Sequence, residues 1–354
     1  MSVSAAASPA RSGPLPPAAS LDEIRALVRG APGPDTDARA RTEAREPTLT
    51  KPAGSLGRLE ELACWLATWQ GRHPPALDRI RCVVFAGNHG VATRGVSVYP
   101  PEVTHQMVAN FQAGGAAVNQ LCRANGADLA VIPLDLDRPT APFDEAPAMT
   151  EAEVLEALNA GLTLDLSGVD ALIVGEMGIG NTTAAAALSQ ALFGGTAVDW
   201  VGRGTGLDDN GLARKRAVVS AAIARHGDAL RDPLEALRRV GGRELAAMAG
   251  GALAARHARV PVFMDGFICS AALAVWQAMD SHGLDHCLAA HVSMEPGHQR
   301  LLAALGKRPL MTLDMRLGEG SGALTCLGLL RSAVACHVGM ATFAEAGVTD
   351  KDPA

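Results

Sequence analysis

The chain has 354 residues, 48% of them apolar, and a formal net charge of −6 with a pI of about 5.9. That length supports one large domain, or a large domain with a smaller companion. Lys and Arg are scattered without a long basic run, which excludes an electrostatic case for nucleic acid or an acidic membrane surface.

Residues 1–19 are rich in Ala, Pro and Ser and lack an apolar run, so they read as a disordered tail and not a signal peptide. Ser20-Leu21-Asp22-Glu23 is a capping box, with Glu23 expected to reach back to the Ser20 N–H. A Pro/Gly/Asp stretch from Ala31 to Asp37 ends that helix. The next is expected from Ser55, where Leu56, Leu59, Leu62, Leu66 and Trp69 recur on one face as a core stripe. From Arg81 the texture changes to short apolar runs alternating with helical segments. Strands are expected at Cys82–Ala86, Leu129–Leu134, Ala171–Val174, Ala197–Val201, Val260–Met264 and Leu310–Leu313. Helical patterns between them include Thr150–Gly161, with a Thr150/Glu153 box, and one starting at Asp232-Pro233. Lys215 and Arg216 fall in an ordinary helical pattern and read as a solvated face. A long helical pattern from Ala323 to Ala346 closes the chain. This alternation predicts an α/β fold: a doubly wound, mostly parallel sheet with helices on both faces, over residues 80–322. A small helical domain would come from the chain ends, residues 20–79 and 323–354.

The seven cysteines are odd in number, form no C-x-x-C pair and lie partly in apolar segments. They read as reduced small hydrophobes, which predicts a cytoplasmic protein. Gly, Glu and Arg break the apolar stretches near the C-terminus, so no membrane span is expected.

Ligands of a doubly wound sheet bind where strands end and helices begin. After Ala171–Val174 comes Gly175-Glu176-Met177-Gly178-Ile179-Gly180-Asn181-Thr182-Thr183, then an alanine-rich helix. Glycines let backbone approach a ligand, and a helix start favours a phosphate. The spacing approaches a P-loop, but Asn181 stands where that motif needs lysine, so a monophosphate suits it better than a transferring γ-phosphate. The plain alternative is a glycine-rich turn with an Asn/Thr cap. Gly202-Arg203-Gly204-Thr205-Gly206 follows the next strand candidate. Two such turns suggest a ligand with a phosphate and a sugar. In Asp314-Met315-Arg316-Leu317-Gly318-Glu319-Gly320-Ser321-Gly322, flanking glycines put Glu319 on a tight turn that can aim a carboxylate into a pocket, or simply cap the next helix. His282 and His286 have metal-ligand spacing on a helix, yet no acidic residue completes a triad, so no metal is expected. His89 reads as a structural turn residue. The absence of G-x-S-x-G argues against an α/β serine hydrolase.

With these segments in view, the chain resembles the nicotinate-nucleotide:dimethylbenzimidazole phosphoribosyltransferase family of cobalamin assembly. The resemblance rests on Lys51-Pro52-Ala53-Gly54-Ser55-Leu56-Gly57-Arg58-Leu59, Phe85-Ala86-Gly87-Asn88-His89-Gly90-Val91, Ser97-Val98-Tyr99-Pro100, and Val103-Thr104-His105-Gln106-Met107-Val108. It continues through Gly175–Thr183, Gly202–Gly206, Asp265-Gly266-Phe267, Ser293-Met294-Glu295-Pro296-Gly297-His298 and Leu313–Gly322, in family order after about residue 20. The departures are the N-terminal tail and Met294, where a small residue is expected.

The resemblance implies a homodimer, and with no metal-ligand cluster in the sequence no cofactor is expected. Ribose 5-phosphate would move from nicotinate mononucleotide to 5,6-dimethylbenzimidazole, giving α-ribazole 5′-phosphate. Glu319 would be the general base and Glu176 a second carboxylate in the pocket. Gly175, Gly178, Gly180, Asn181 and Thr182, with Gly202, Arg203, Gly204 and Thr205, would hold the nucleotide, joined by Lys215 and Ser293. Ser97, Val98, Tyr99 and Gln106, with Leu317, would line the benzimidazole slot. Two rival classes follow from the same loops. A P-loop kinase would need lysine at 181, and a non-catalytic nucleotide-binding module would tolerate loss of Glu319.

Overall fold

The computed structural model describes residues 13–350. Its strands are β1 (Ile80–Ala86), β2 (Ala127–Pro133), β3 (Ala171–Met177), β4 (Val262–Met264), β5 (Cys287–Ala289), β6 (His291–Val292) and β7 (Met311–Thr312). The first five make a parallel sheet in the order β2-β1-β3-β4-β5, with Ile80 opposite both Ala127 and Ala171.

Side chains alternate across the sheet with the two-residue period of a strand. Val83, Phe85, Leu172, Val174, Val262 and Met264 enter one core, against helices that include Glu151–Leu162, Asn181–Phe193, Arg243–His257 and Phe267–Met279. Ile80, Cys82, Val84, Ala171, Ile173 and Phe263 enter the other, against Arg58–Gln70, Ala117–Ala124 and Leu327–Gly339. Strands covered on both faces need unbroken apolar sequence, which Cys82–Ala86 and Ala171–Val174 supply. The sheet is doubly wound. From β1 the chain runs outward to β2, then crosses back to β3 on the other side of β1. The crossovers diverge there and leave a crevice at the carboxyl ends of β1 and β3.

Several expectations are corrected. Ala197–Trp200 is a short helix and not a strand, because Thr196 and Asp199 close a capping box in which the Thr196 N–H donates to Asp199 at 2.7 Å. Leu310–Leu313 contributes only Met311–Thr312, which pairs with β6 in a separate two-stranded ladder. Strand β5 has no distinct sequence signal in its three residues. The helix expected from Ser55 begins at Arg58, and a further helix, Thr36–Arg45, starts from Asp35 as its N-cap. Glu23 takes the N–H of Ala19, not of Ser20, at 2.7 Å. The closing helix is three: Ser321–Thr325, Leu327–Gly339 and Phe343–Ala346. The near-continuous run Ser321–Gly339 has a mean hydropathy of 1.3 and is long and apolar enough to cross a membrane, contrary to the sequence reading. Here its Leu324, Leu327, Leu330 and Ala333 are buried in the second core.

The chain ends meet. Arg45 donates to the carbonyls of His337 (2.9 Å) and Met340 (3.0 Å), and Leu49 bridges to Thr342. Lys51 is buried between Glu46 (3.0 Å) and Glu60 (2.8 Å). These helices share the second core with the sheet, whereas Leu21–Arg29 packs on the opposite face. Of the expected tail, residues 1–12 lie outside the described residues. Ala18 is buried and exchanges two 2.8 Å hydrogen bonds with the Asn159 side chain.

Candidate active site

A cavity of about 110 Å³ opens at the carboxyl end of β3, walled by both glycine turns, the loop after β4, and Leu317 and Gly318. A larger groove of about 770 Å³, between Trp65 and the Asp285–Ala289 and Gly306–Arg308 segments, contains none of the expected site residues. The smaller one is therefore the candidate site.

Its phosphate side is built from the two turns. Gly180, at φ +99°, starts the Asn181–Phe193 helix without a side-chain cap, leaving the positive helix end to the cavity. A Cβ at Gly204 (φ +54°) would lie 3.0 Å from Thr182 Oγ1 and 3.2 Å from Lys215 Nζ, so the turns nearly touch. Lys215 is fully buried and donates to Thr182 Oγ1 at 2.7 Å. It is not the solvated residue its helical setting suggests. Burial lowers its pKa to about 8, against the attraction of Glu295. A buried ammonium with one hydroxyl partner is ready for an anion. Arg203 turns away, bonded to Leu207 O and Asp209, with half its side chain exposed. Gly175 lies under the Glu319 turn and Gly202 against Glu295, each where a Cβ would collide.

Two buried carboxylates lie on the inner side: Glu176 lines the cavity, and Glu319 sits just behind its Gly318 wall. Glu176, on β3, is buried and accepts from the Asn181 side-chain amide. Burial raises its pKa well above the carboxylate range, with Glu244 and Asp265 adding repulsion. Glu319 is 3% exposed and stands at φ +63° between two left-handed glycines. Burial raises its pKa too, opposed by the Val118 N–H, which donates to Oε2 at 3.3 Å from the start of the Ala117–Ala124 helix. The peptide dipole at that helix end favours the ionised form of Glu319. For Glu176, burial among carboxylates favours the protonated form instead.

Ser293 reaches the cavity on the His298 ring. The Ser293 N–H donates to His298 Nδ1 at 2.9 Å, which fixes the proton on Nε2, and Nε2–H donates to Ser270 Oγ at 3.0 Å. Burial holds this imidazole neutral, with a pKa of about 3. Of the residues expected at the base, Leu317 lines the cavity and is 56% exposed. Ser97, Val98, Tyr99 and Gln106 do not line it; Val98 and Tyr99 are half exposed, and Gln106 is exposed on the Glu102–Ala113 helix. Thr104 of that helix accepts the Ile179 N–H at 3.2 Å, which ties the segment to the first glycine turn. Sequence reasoning assigns no role to His291, Glu295 or Arg316, which also line the cavity. Asp265 and the buried His89–Glu244 pair lie behind it.

Known proteins share this fold and much of the sequence. A phosphoribosyltransferase family model matches residues 31–348. A nicotinate-nucleotide–dimethylbenzimidazole phosphoribosyltransferase of Mesorhizobium japonicum is 58% identical over 336 residues, covering 95% of this chain and all of the relative. Its counterpart in Methylorubrum extorquens is 55% identical, covering 94% of this chain and 97% of the relative. The crystal structure of the enzyme of that name from Thermus thermophilus superposes with a TM-score of 0.82 at 42% identity, over 90% of this chain and 100% of that one. With the same fold and near-complete coverage in both directions, the chain belongs to the nicotinate-nucleotide–dimethylbenzimidazole phosphoribosyltransferase family.

Proposed function

We propose that this chain transfers ribose 5-phosphate from nicotinate mononucleotide to 5,6-dimethylbenzimidazole, releasing nicotinate and giving α-ribazole 5′-phosphate for the nucleotide loop of cobalamin. One observation carries the reading. One cavity has the two glycine turns on one wall, backed by the buried Lys215 ammonium through Thr182, and Glu176 and Gly318 on another, backed by the buried Glu319. The first wall suits a 5′-phosphate and the second a reaction that generates a proton.

Nicotinate mononucleotide already carries a pyridinium, so the ring departs with the C1′–N electron pair and gains no charge at nitrogen. The attacking benzimidazole nitrogen becomes cationic as its bond to C1′ forms. Glu319, ionised at the helix start, takes the proton from the other ring nitrogen and cancels that charge. Attack opposite the leaving group converts a β-nucleotide to an α-ribotide. Holding both rings side by side in one site would supply the proximity term. Thr182, Gly204 and Lys215 would grip the phosphate, Ser293 the ribose side, and Leu317 with the Ser97–Gln106 segment the benzimidazole.

The protein is read as a cytoplasmic homodimer, a compartment in keeping with seven cysteines that are all free thiols. The test is incubation with nicotinate mononucleotide and a panel of benzimidazoles and purines, following nicotinate release. Base-dependent release is expected. Release independent of any added base, or none with the whole panel, would remove the assignment.

A further inference from the structure

We propose that Asp265 is the positioning residue for the base of this reaction, clamping the Gly318-Glu319-Gly320 turn through two backbone amides, one in the turn and one in the helix it starts. The inference rests on the reading of Glu319 as general base. That turn has little rigidity of its own. Its three residues lie at φ +88°, +63° and +79°, and the helix that follows, Ser321–Thr325, starts from Gly320 with no side chain to cap it. A non-glycine residue persists at such an angle only where its surroundings over-determine it.

Asp265 supplies what is missing. In a capping box, the N-cap side chain takes the N3 amide and the N3 side chain takes the N-cap amide. Here both amides go to one carboxylate from a distant loop: Gly320 N–H donates to Asp265 Oδ2 at 3.1 Å, and Ala323 N–H to Oδ1 at 3.0 Å. Asp265 directly follows β4, is 2% exposed, and has His291 Nε2 at 3.4 Å from Oδ1 on its other side. The Glu319 turn is thereby fastened to the parallel sheet. Beneath it, Gly175 leaves no room for a Cβ, and above it the Val118 N–H holds the Glu319 carboxylate. A base one ångström out of place loses much of its effect. The negative charge of Asp265 also adds to the basicity of Glu319.

A plain helix cap would make the same two hydrogen bonds, so the test must report on coupling to Glu319. Nicotinate release is measured at steady state for Asp265→Asn, Glu319→Gln and the double variant, each checked for folding by circular dichroism. Asn keeps the shape but offers one acceptor and no charge. In Asp265→Asn, kcat is expected to fall roughly 10–100-fold, with KM for nicotinate mononucleotide within about twofold. In the double variant the two losses should not multiply: with the base gone, clamping it is worthless, and turnover stays within about threefold of Glu319→Gln alone. A folded Asp265→Asn with near-normal kcat, or losses that multiply, overturns the clamp while leaving Glu319 in place. Near-normal turnover in Glu319→Gln removes the reading beneath it instead. If Asp265→Asn does not fold, Asp265→Ser, smaller and itself a cap former, carries the same comparison.

Discussion

Two buried carboxylates could each be the proton acceptor, and their surroundings separate them. Glu176 is buried on β3 with Glu244 and Asp265 nearby, which pushes its pKa well above the ordinary carboxylate value and favours its protonated form. Glu319 has a helix start and a backbone N–H that favour ionisation, set against burial. Replacing Glu319 by Gln should lower kcat by roughly 10²–10⁴, the usual worth of a general base, with nucleotide affinity little changed. If only Glu176→Gln lost turnover, the roles would be exchanged. The pH dependence follows with a definite sign. The base works deprotonated and its pKa is raised, so the acidic limb of kcat/KM should lie above the ordinary carboxylate range and activity should fall as pH drops through it. A limb at or below that range would contradict the buried setting. Glu319 is legible in sequence because two glycines isolate it. Asp265 is visible there only within a motif, since its partners Gly320 and Ala323 are 55 and 58 positions away and no local period joins them.

At the level of elements, the candidate binding wall is one strand-to-helix turn and one helix-to-helix turn brought edge to edge. Gly180→Val or Gly204→Val would force a branched residue to a positive φ and fill the space beside His89 or Lys215. Affinity for nicotinate mononucleotide should weaken about tenfold or more, equivalent to one charge-assisted hydrogen bond, while free-base binding holds. Calorimetric titration of both ligands measures the contrast, and unchanged nucleotide affinity in both variants would take the turns out of the site. The glycine patterns announce these turns. The same reasoning misjudges Lys215, because a lysine within a helical pattern is ordinarily solvated. Only the neighbouring Thr182, 33 residues earlier in the chain, shows why this one is buried. Ala197–Val201 reads as a strand since its apolar residues outweigh the Thr196/Asp199 box that starts the four-residue helix there.

The whole molecule makes two further demands. A leaving group that is charged before it departs needs no Lewis acid, so turnover should survive exhaustive EDTA treatment; activity restored only by Mg²⁺ would point to a pyrophosphate donor. The joined chain ends hinge on Lys51, whose side chain is 6% exposed and serves Glu46 and Glu60 together. Lys51→Met would remove the cation between two partly buried carboxylates, leaving Glu46 to His337 and Glu60 to the Leu56 N–H, and should cost about 1–3 kcal/mol in urea unfolding. A loss under about 1 kcal/mol, the worth of an exposed pair, would mean that the clasp is dispensable. What sequence alone determined here is local or periodic: apolar runs that become doubly covered strands, caps that start helices, and glycines that bend the backbone next to a ligand. Tertiary structure decided the strand order that opens the crevice between β1 and β3, the burial of Lys215, and the unequal proton affinities of Glu176 and Glu319. Those depend on distances between residues far apart in the chain and on removal from water, and neither is encoded at any single position.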